Sequence, residues 1–379
     1  MPLVLTEEQD MLRESARGFL DEKAPVAAFR KLRDSGSETA YDPALWKEMA
    51  EMGWAGILIN EDHGGADFGF VGAGLLAEEM GRTLTASPFL STAVLAATAL
   101  GRYASPAMQD KCLPAIAAGD LVAALAVDEG PKHAPFKIET QAAQSGNAFS
   151  ISGEKTFVAD AVSADKLIVA ARTAGASGEE DGVTLFLVDA AANGVDFERT
   201  AMVDSRNYAR VTLDKVDATG DDVIGEVDGG ASVLNGVLNA GRAALAAEMS
   251  GSSQAAFEMT TDYLKERKQF GKEIGSFQAL QHRAAHLYSE IELVKSAVLK
   301  ALQDLDTGPE NAGAICALAK AKAGAVAKLA SQEAIQMHGG VGMTDEYDVG
   351  FYMKRIRVAQ EMFGDAAFHA DALARMRGY

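Results

Sequence analysis

The chain reads as an α+β protein, and a change of hydrophobic period along it predicts this class. Up to about Gly119 apolar residues recur at helical spacing, and from Leu121 to about Ile224 they alternate with a period of two. From Ala231 onward the helical spacing returns in long segments rich in Ala, Leu, Glu and Lys. The expected division is a helical domain over residues 1–120, a β domain over 121–228 and a second helical domain over 229–379. With 379 residues and 48% apolar content, the chain exceeds one ordinary core and is long enough to bury a cofactor.

Taking the elements in order, Thr6 and Gln9 have the spacing of a capping box, and Leu12, Ala16, Phe19 and Leu20 then share one apolar face. Residues 44–52, 72–81 and 91–103 predict further helices, with a turn cluster at 61–65. In the middle region Phe149 and Ile151, Leu167 and Val169, and Val183, Leu185 and Leu187 alternate with the opposite face. Ser145, Gly146 and Asn147 supply a hairpin turn. The acidic, glycine-rich stretch 225–230 marks a boundary. Beyond it at least four long helices, punctuated by Gly271, Gly339 and Gly364, are sufficient for a bundle.

Composition narrows the function. A formal charge of −19 disfavours nucleic acid or an anionic membrane as partner, because both repel an acidic surface. No apolar run reaches the roughly 18 residues of a membrane span, and Met1, Pro2, Leu3 and Val4 lack a signal-peptide pattern. A soluble cytoplasmic protein is expected. Cys112 and Cys316, the only cysteines, exclude a disulfide framework or a cysteine metal cluster and read as small buried hydrophobes. His282 and His286 lie four apart, but no Glu follows His282, so no metal site is expected.

Two motifs carry the chemistry. One is Arg267, Lys268, Gln269, Phe270, Gly271 with Phe277 and Gln278; the other is Gln336, Met337, His338, Gly339, Gly340, Val341, Gly342. Each has a plain explanation: cations favoured at a helix C-terminus, and a helix stopped by a left-handed glycine. Two glycines beyond the stop go further, since they let backbone approach a ligand closely, and an arginine nearby suits a dinucleotide pyrophosphate. His338 itself reads as a packing or capping residue.

In this order and at this separation the two motifs resemble the flavin-binding signature of the acyl-CoA dehydrogenase family. Three more stretches are similar to that family: Glu78, Glu79, Met80, Gly81, Arg82; Gly153, Glu154, Lys155, Thr156, Phe157; and Asn239, Ala240, Gly241, Arg242. The resemblance covers nearly the whole chain. It implies a helical first domain, a β-barrel-like middle domain and a C-terminal four-helix bundle. It also implies non-covalent FAD, held by Arg267, Gln269, Phe270, Gln278, Gln336, Gly339 and Gly340, with Arg267 reaching a pyrophosphate held largely by the neighbouring subunit. Phe157 would shield the flavin ring and Arg242 would meet the substrate. The implied reaction is oxidation of a saturated acyl-CoA to the trans-2-enoyl form by a homodimer or homotetramer, with an electron-transfer flavoprotein as acceptor.

The chain departs from that family at the chemistry. The family's proton-abstracting glutamate precedes a Gly-Thr pair; here Phe363 stands in its place, before Gly364 and Asp365. Gly241 occupies the other position from which relatives supply a base. Glu361 and Asp365 flank Phe363 and are the carboxylates expected to substitute, followed by Glu248, seven residues beyond Gly241. Against that role stand a helix ion pair for Glu361 with Lys354, Arg355 or Arg357, and a helix cap for Asp365. Phe157 replaces a tryptophan, Ala159 replaces a threonine that contacts the flavin, and residues 128–140 lack the family's Gly-Ser-rich turn. These departures raise one alternative, a catalytically incomplete subunit of a heteromer with a related chain. A flavin monooxygenase or oxidase on the same fold is a further one, and a flavin-free helical scaffold is the most remote.

Overall fold

A computed structural model describes residues 3–379. Eleven α-helices run through them: α1 (Glu7–Lys23), α2 (Val26–Ser35), α3 (Pro43–Glu51), α4 (Gly69–Thr83), α5 (Ala97–Tyr103), α6 (Pro106–Ala117), α7 (Gly230–Glu266), α8 (Gln278–Thr307), α9 (Ala312–His338), α10 (Val349–Glu361) and α11 (Ala366–Met376). Between α6 and α7 lie β1 (Ala123–Ala126), β2 (Gln141–Ser145), β3 (Ala148–Ala159), β4 (Lys166–Arg172), β5 (Val183–Asp189), β6 (Val195–Arg199), β7 (Tyr208–Thr219) and β8 (Val223–Ile224). A two-residue pair, β9 (Lys268–Gln269) and β10 (Lys272–Glu273), follows α7. The α, β, α order predicted from the period changes is present. By packing, the chain forms two compact units: residues 32–69 with 86–241, and residues 1–31 with 70–85 and 242–379. The helices before β1 are thus shared between a sheet-containing unit and an all-helical one.

In the sheet-containing unit the strands run in the order β6-β7-β3-β2-β4-β5-β8, with β1 parallel to the first half of β4. Gly146 and Asn147 form the two-residue turn of the β2–β3 hairpin, and Gly146 takes a φ of +63° that favours glycine there. Strand faces explain the burial: Leu167, Val169 and Ala171 of β4 join Phe149 and Ile151 of β3, Val211 and Leu213 of β7, and Val223 of β8 in one core. Strands from opposite ends of the order therefore curl around a single interior. No hydrogen-bonded pairing joins β6 to β8 among the described residues, so the barrel-like middle domain stays open. The predicted 91–103 helix begins instead as a π-helix over Phe89–Ala96 and becomes α-helical only at Ala97. Within it Thr92 Oγ1 donates to the Ala123 carbonyl at 3.1 Å and accepts the Ala123 N–H at 3.0 Å, which pins β1.

The all-helical unit is built by α1, α4, most of α7, and α8 to α11. Thr6 caps α1 in the expected reciprocal arrangement with Gln9. Central in it is α9, which packs against α8, α10 and α11. Its buried face repeats at Cys316, Ala319, Ala323, Ala327 and Ala330, small residues that let neighbours approach closely. Five helices, α7 to α11, follow residue 229, where at least four are expected from the sequence. Both cysteines are buried and free, as small hydrophobes. No described helix is long and apolar enough to cross a membrane.

Candidate functional site

The first motif lies where α7 ends. Arg267 follows the last helical residue, Glu266, its N–H still bonded to the Tyr263 carbonyl at 2.9 Å. Lys268–Gln269 and Lys272–Glu273 then fold back as a hairpin around Phe270 and Gly271, both with positive φ. Arg267, Lys268 and Lys272 are exposed, and among the described residues the Arg267 guanidinium has no carboxylate partner. This is a local cationic patch on an acidic chain. Phe270 is 91% exposed and meets Phe277 edge-on at 6.3 Å. Gln278, the first residue of α8, is exposed as well.

The second motif ends α9. Gly339 takes φ +64° and ψ −138°, a conformation essentially closed to other residues. The chain then tightens into a 3₁₀ turn over Gly339–Met343. A Cβ on Gly339, Gly340 or Gly271 would meet nothing within 4 Å, so open space lies over all three. Gln336 is exposed beside them. The two motifs are brought together by rings: Tyr263 stacks on His338 with centroids 4.5 Å apart, and Tyr347 flanks His338 at 4.9 Å. His338 donates from Nδ1 to the Ala334 carbonyl at 2.7 Å, the packing and capping role read from its position. Its Nε2 is buried without a partner, and burial holds its pKa below the usual imidazole value.

The turn between α10 and α11 carries the position of the expected base. Phe363 adopts φ +56°, and its carbonyl accepts from Arg242 Nε at 3.2 Å. Arg242 is only 7% exposed and lies over the Phe368 ring at 5.7 Å, so its guanidinium braces the turn from inside. A second buried cation does the same. Lys320 of α9 donates to the carbonyls of Gln360 at 3.0 Å and Gly364 at 2.9 Å. The three candidate carboxylates are all engaged. Glu361 pairs with Arg357 at 2.6 Å, Asp365 accepts the Phe368 N–H at 2.8 Å as the N-cap of α11, and Glu248 is held by Arg355 through bonds of 2.6 and 2.8 Å.

In the sheet-containing unit the pairing of β3 with β7 slips between Lys155 and Val158, and the bulge turns Phe157 outward with φ +53° and 43% of its surface exposed. The adjoining stretch 127–140 is tied to this bulge. Thr156 donates its N–H to the Asp128 carbonyl at 2.7 Å, and buried Lys155 pairs with Glu129 at 2.6 Å. Burial would raise the Glu129 pKa, but the Lys155 charge and the N–H groups of Glu139 and Thr140 outweigh it and hold the carboxyl below its usual range. Arg172 fixes the far end by donating to five carbonyls, among them Phe136 and Ile138.

Residues 6–120, 128–216 and 228–377 match, respectively, the N-terminal, middle and C-terminal domain models of acyl-CoA dehydrogenase. The chain belongs to the acyl-CoA dehydrogenase family. Its members are oxidoreductases acting on CH–CH groups, and the family is one of FAD-binding flavoproteins. Among the similar proteins is the mitochondrial short/branched chain specific acyl-CoA dehydrogenase of Bos taurus, 27% identical over 98% of this chain and 85% of its own length. Two solved structures are alike throughout. The Tcur3481-Tcur3483 steroid ACAD has a TM-score of 0.89 and 29% identity, covering 98% of both chains. The ChsE4-ChsE5 complex of Mycobacterium tuberculosis has a TM-score of 0.90 and 25% identity over 100% of both.

The residues present fit the family's cofactor. A flat ring needs an exposed aromatic, which the bulge supplies in Phe157, and a diphosphate needs unpaired positive charge beside backbone without side chains, which Arg267, Gly339 and Gly340 supply. Sequence reasoning passed over Lys320 and Tyr263. Lys320 had a visible signal, standing four residues after Cys316 and three before Ala323 on the apolar face of α9.

Proposed function

We propose that this chain is an FAD-dependent acyl-CoA dehydrogenase subunit that oxidises a saturated acyl-CoA to the trans-2-enoyl form, with a related subunit supplying the carboxylate base. The observation that carries the second half is the Phe363 turn. It is braced by Arg242 and Lys320 as a fixed platform, yet presents a side chain unable to take a proton, while Glu361, Asp365 and Glu248 are committed elsewhere. When bound, FAD supplies the hydride acceptor. In this reading Arg267, Gln269, Phe270, Gln278, Gln336, Gly339 and Gly340 present one surface to the cofactor's diphosphate and adenosine. Phe157 excludes water from the ring, and Arg242 acts by orienting the 360–364 turn from beneath. The ChsE4-ChsE5 neighbour is itself a complex of two named chains, which supports a heteromeric assembly here. An electron-transfer flavoprotein is the acceptor in this reading.

The test is expression of the chain alone and together with a neighbouring-gene homologue that carries a glutamate at the position of Phe363. Flavin absorbance and acyl-CoA-dependent reduction of a dye acceptor are then measured on both. Activity confined to the pair is expected. Full activity of the lone chain removes the heteromer, and absence of flavin from both preparations removes the whole reading.

A further inference from the structure

A cavity of about 390 Å³ opens in the all-helical unit among α1, α4, α7 and α8. None of the residues proposed for the flavin surface or the 360–365 turn lines it. One wall is apolar, formed by Val71, Leu75, Val298 and Leu302; the other is charged. Every cation of that wall already has a carboxylate. Arg13 pairs with Asp10 at 2.6 Å, Arg17 grips Glu79 at 2.7 and 3.0 Å, Arg82 holds Glu258 at 2.9 Å, and Lys295 holds Glu292 at 2.7 Å.

Two acceptors are left over. Glu78 of α4 lines the cavity and makes no hydrogen bond or ion pair among the described residues, although Arg13, Arg82, Lys295 and Glu79 all act on it through space. Gln254 of α7 spends its amide on Glu258 at 2.8 Å, and its Oε1 is buried without a donor. With Glu78 ionised, the five carboxylates outnumber the four cations by one. A buried acceptor without a donor is costly, and a pocket of this size suits a small ligand.

We propose that this cavity binds a small aliphatic primary ammonium ion, its N–H donors on Glu78 and Gln254 and its chain against the Val71–Leu302 wall. An anion is disfavoured, since the cations are already paired and Glu78 and Glu258 line the cavity. Burial, and then Glu79, push the Glu78 carboxyl up to about 7. Only the ionised carboxylate offers a counter-charge, so affinity for an amine rises with pH across neutrality. An alkylammonium, titrating near a lysine, stays charged throughout that range.

Hexylammonium chloride titrated calorimetrically into the full chain at pH 6 and pH 8 tests this, with hexanoate and hexanol as controls of reversed and zero charge. The expected result is one site per chain, about tenfold tighter at pH 8, with neither control competing. Glu78→Gln is expected to erase the pH dependence and weaken binding at pH 8 at least tenfold. Should that variant not fold, the pH pair and the two controls on the unaltered protein still decide. No binding at about 10 mM, equal affinity at both pH values, or hexanoate or hexanol binding as well as the amine overturns the proposal.

Discussion

The rings of Tyr263 and His338 lie 4.5 Å apart and within 30° of parallel, and this contact joins two helix ends that are distant in sequence. Tyr263 precedes Arg267 by one helical turn, while His338 immediately precedes Gly339, so the stack fixes the arginine relative to the glycine turn. Tyr263→Ala is expected to weaken FAD binding by about two- to tenfold, the scale of one aromatic pair. Arg267→Met should cost more, about ten- to a hundredfold, because it removes a charge-assisted contact. Fluorescence titration of apoprotein with FAD measures both. Equal or absent effects would separate the two motifs functionally and sink the single-surface reading.

Phe363 is held through its own backbone, by φ +56° and the Arg242 bond to its carbonyl. A glutamate placed there inherits the same presentation. Phe363→Glu is expected to give flavin-loaded protein a gain of at least about a hundredfold in exchange of the acyl C2 proton with deuterated solvent, the contribution of one positioned base. Glu361→Gln should leave that gain intact, since Glu361 is occupied by Arg357 on the exposed side of α10. No gain from the glutamate would show that this turn does not face the reacting carbon.

Much of this was legible in the chain itself, and the parts that were not share a cause. The period changes near residues 120 and 230, the Thr6 cap and the β2–β3 turn are local signals, and each appears where the sequence places it. The ion pair of Glu361 and the cap made by Asp365 were readable too, because partners four and three residues away need no tertiary knowledge. The π-helical start at Phe89 was not, because its eight residues are set by packing and by Thr92 bonding Ala123 across 31 positions. Nor was the open edge between β6 and β8, since alternation tells which face is buried and not which strand pairs with which. Lys320 is marked in the chain only by its place on the apolar face of α9, and the partners that give it and Glu78 their character come from elements distant in sequence.

Lys320 predicts a pH dependence of stability. Burial, with the Arg242 charge second, pushes its ammonium down to about 7, against the opposing pull of Glu361 and Asp365. Unfolded, a lysine titrates near 10.4. Between those values the unfolded chain binds the additional proton, so this contribution makes the protein more stable as pH rises from about 7 to about 10 and is constant below. Glu78 acts in the other window. Its folded pKa is raised, so its stabilisation is complete near pH 4 and is lost as pH rises towards about 7. Urea midpoints followed against pH should lose the alkaline rise in Lys320→Met and the acidic-side fall in Glu78→Gln. Curves of unchanged shape would mean that neither group titrates as its surroundings dictate.

Glu248 is tested by the glycine that faces it, Gly81. A Cβ on Gly81 would lie 2.1 Å from the Glu248 carbonyl, and one on Gly251 would lie 1.8 Å from the Glu78 carbonyl, so α4 and α7 touch backbone to backbone. Gly81→Ala must therefore part the helices and drag Glu248 from Arg355, which it meets at 2.6 and 2.8 Å with both side chains almost wholly buried. We expect Gly81→Ala to destabilise the fold by about 1–3 kcal/mol or more, the cost of overpacking. Glu248→Gln should cost about 3–5 kcal/mol, because it strands the buried guanidinium. The double variant should fall short of the sum, since the first change already weakens the pair that the second removes. Denaturant unfolding gives all three values. Strict additivity would break the link between helix contact and ion pair, and a Glu248→Gln protein of full stability that has lost C2 proton exchange would restore Glu248 as the base.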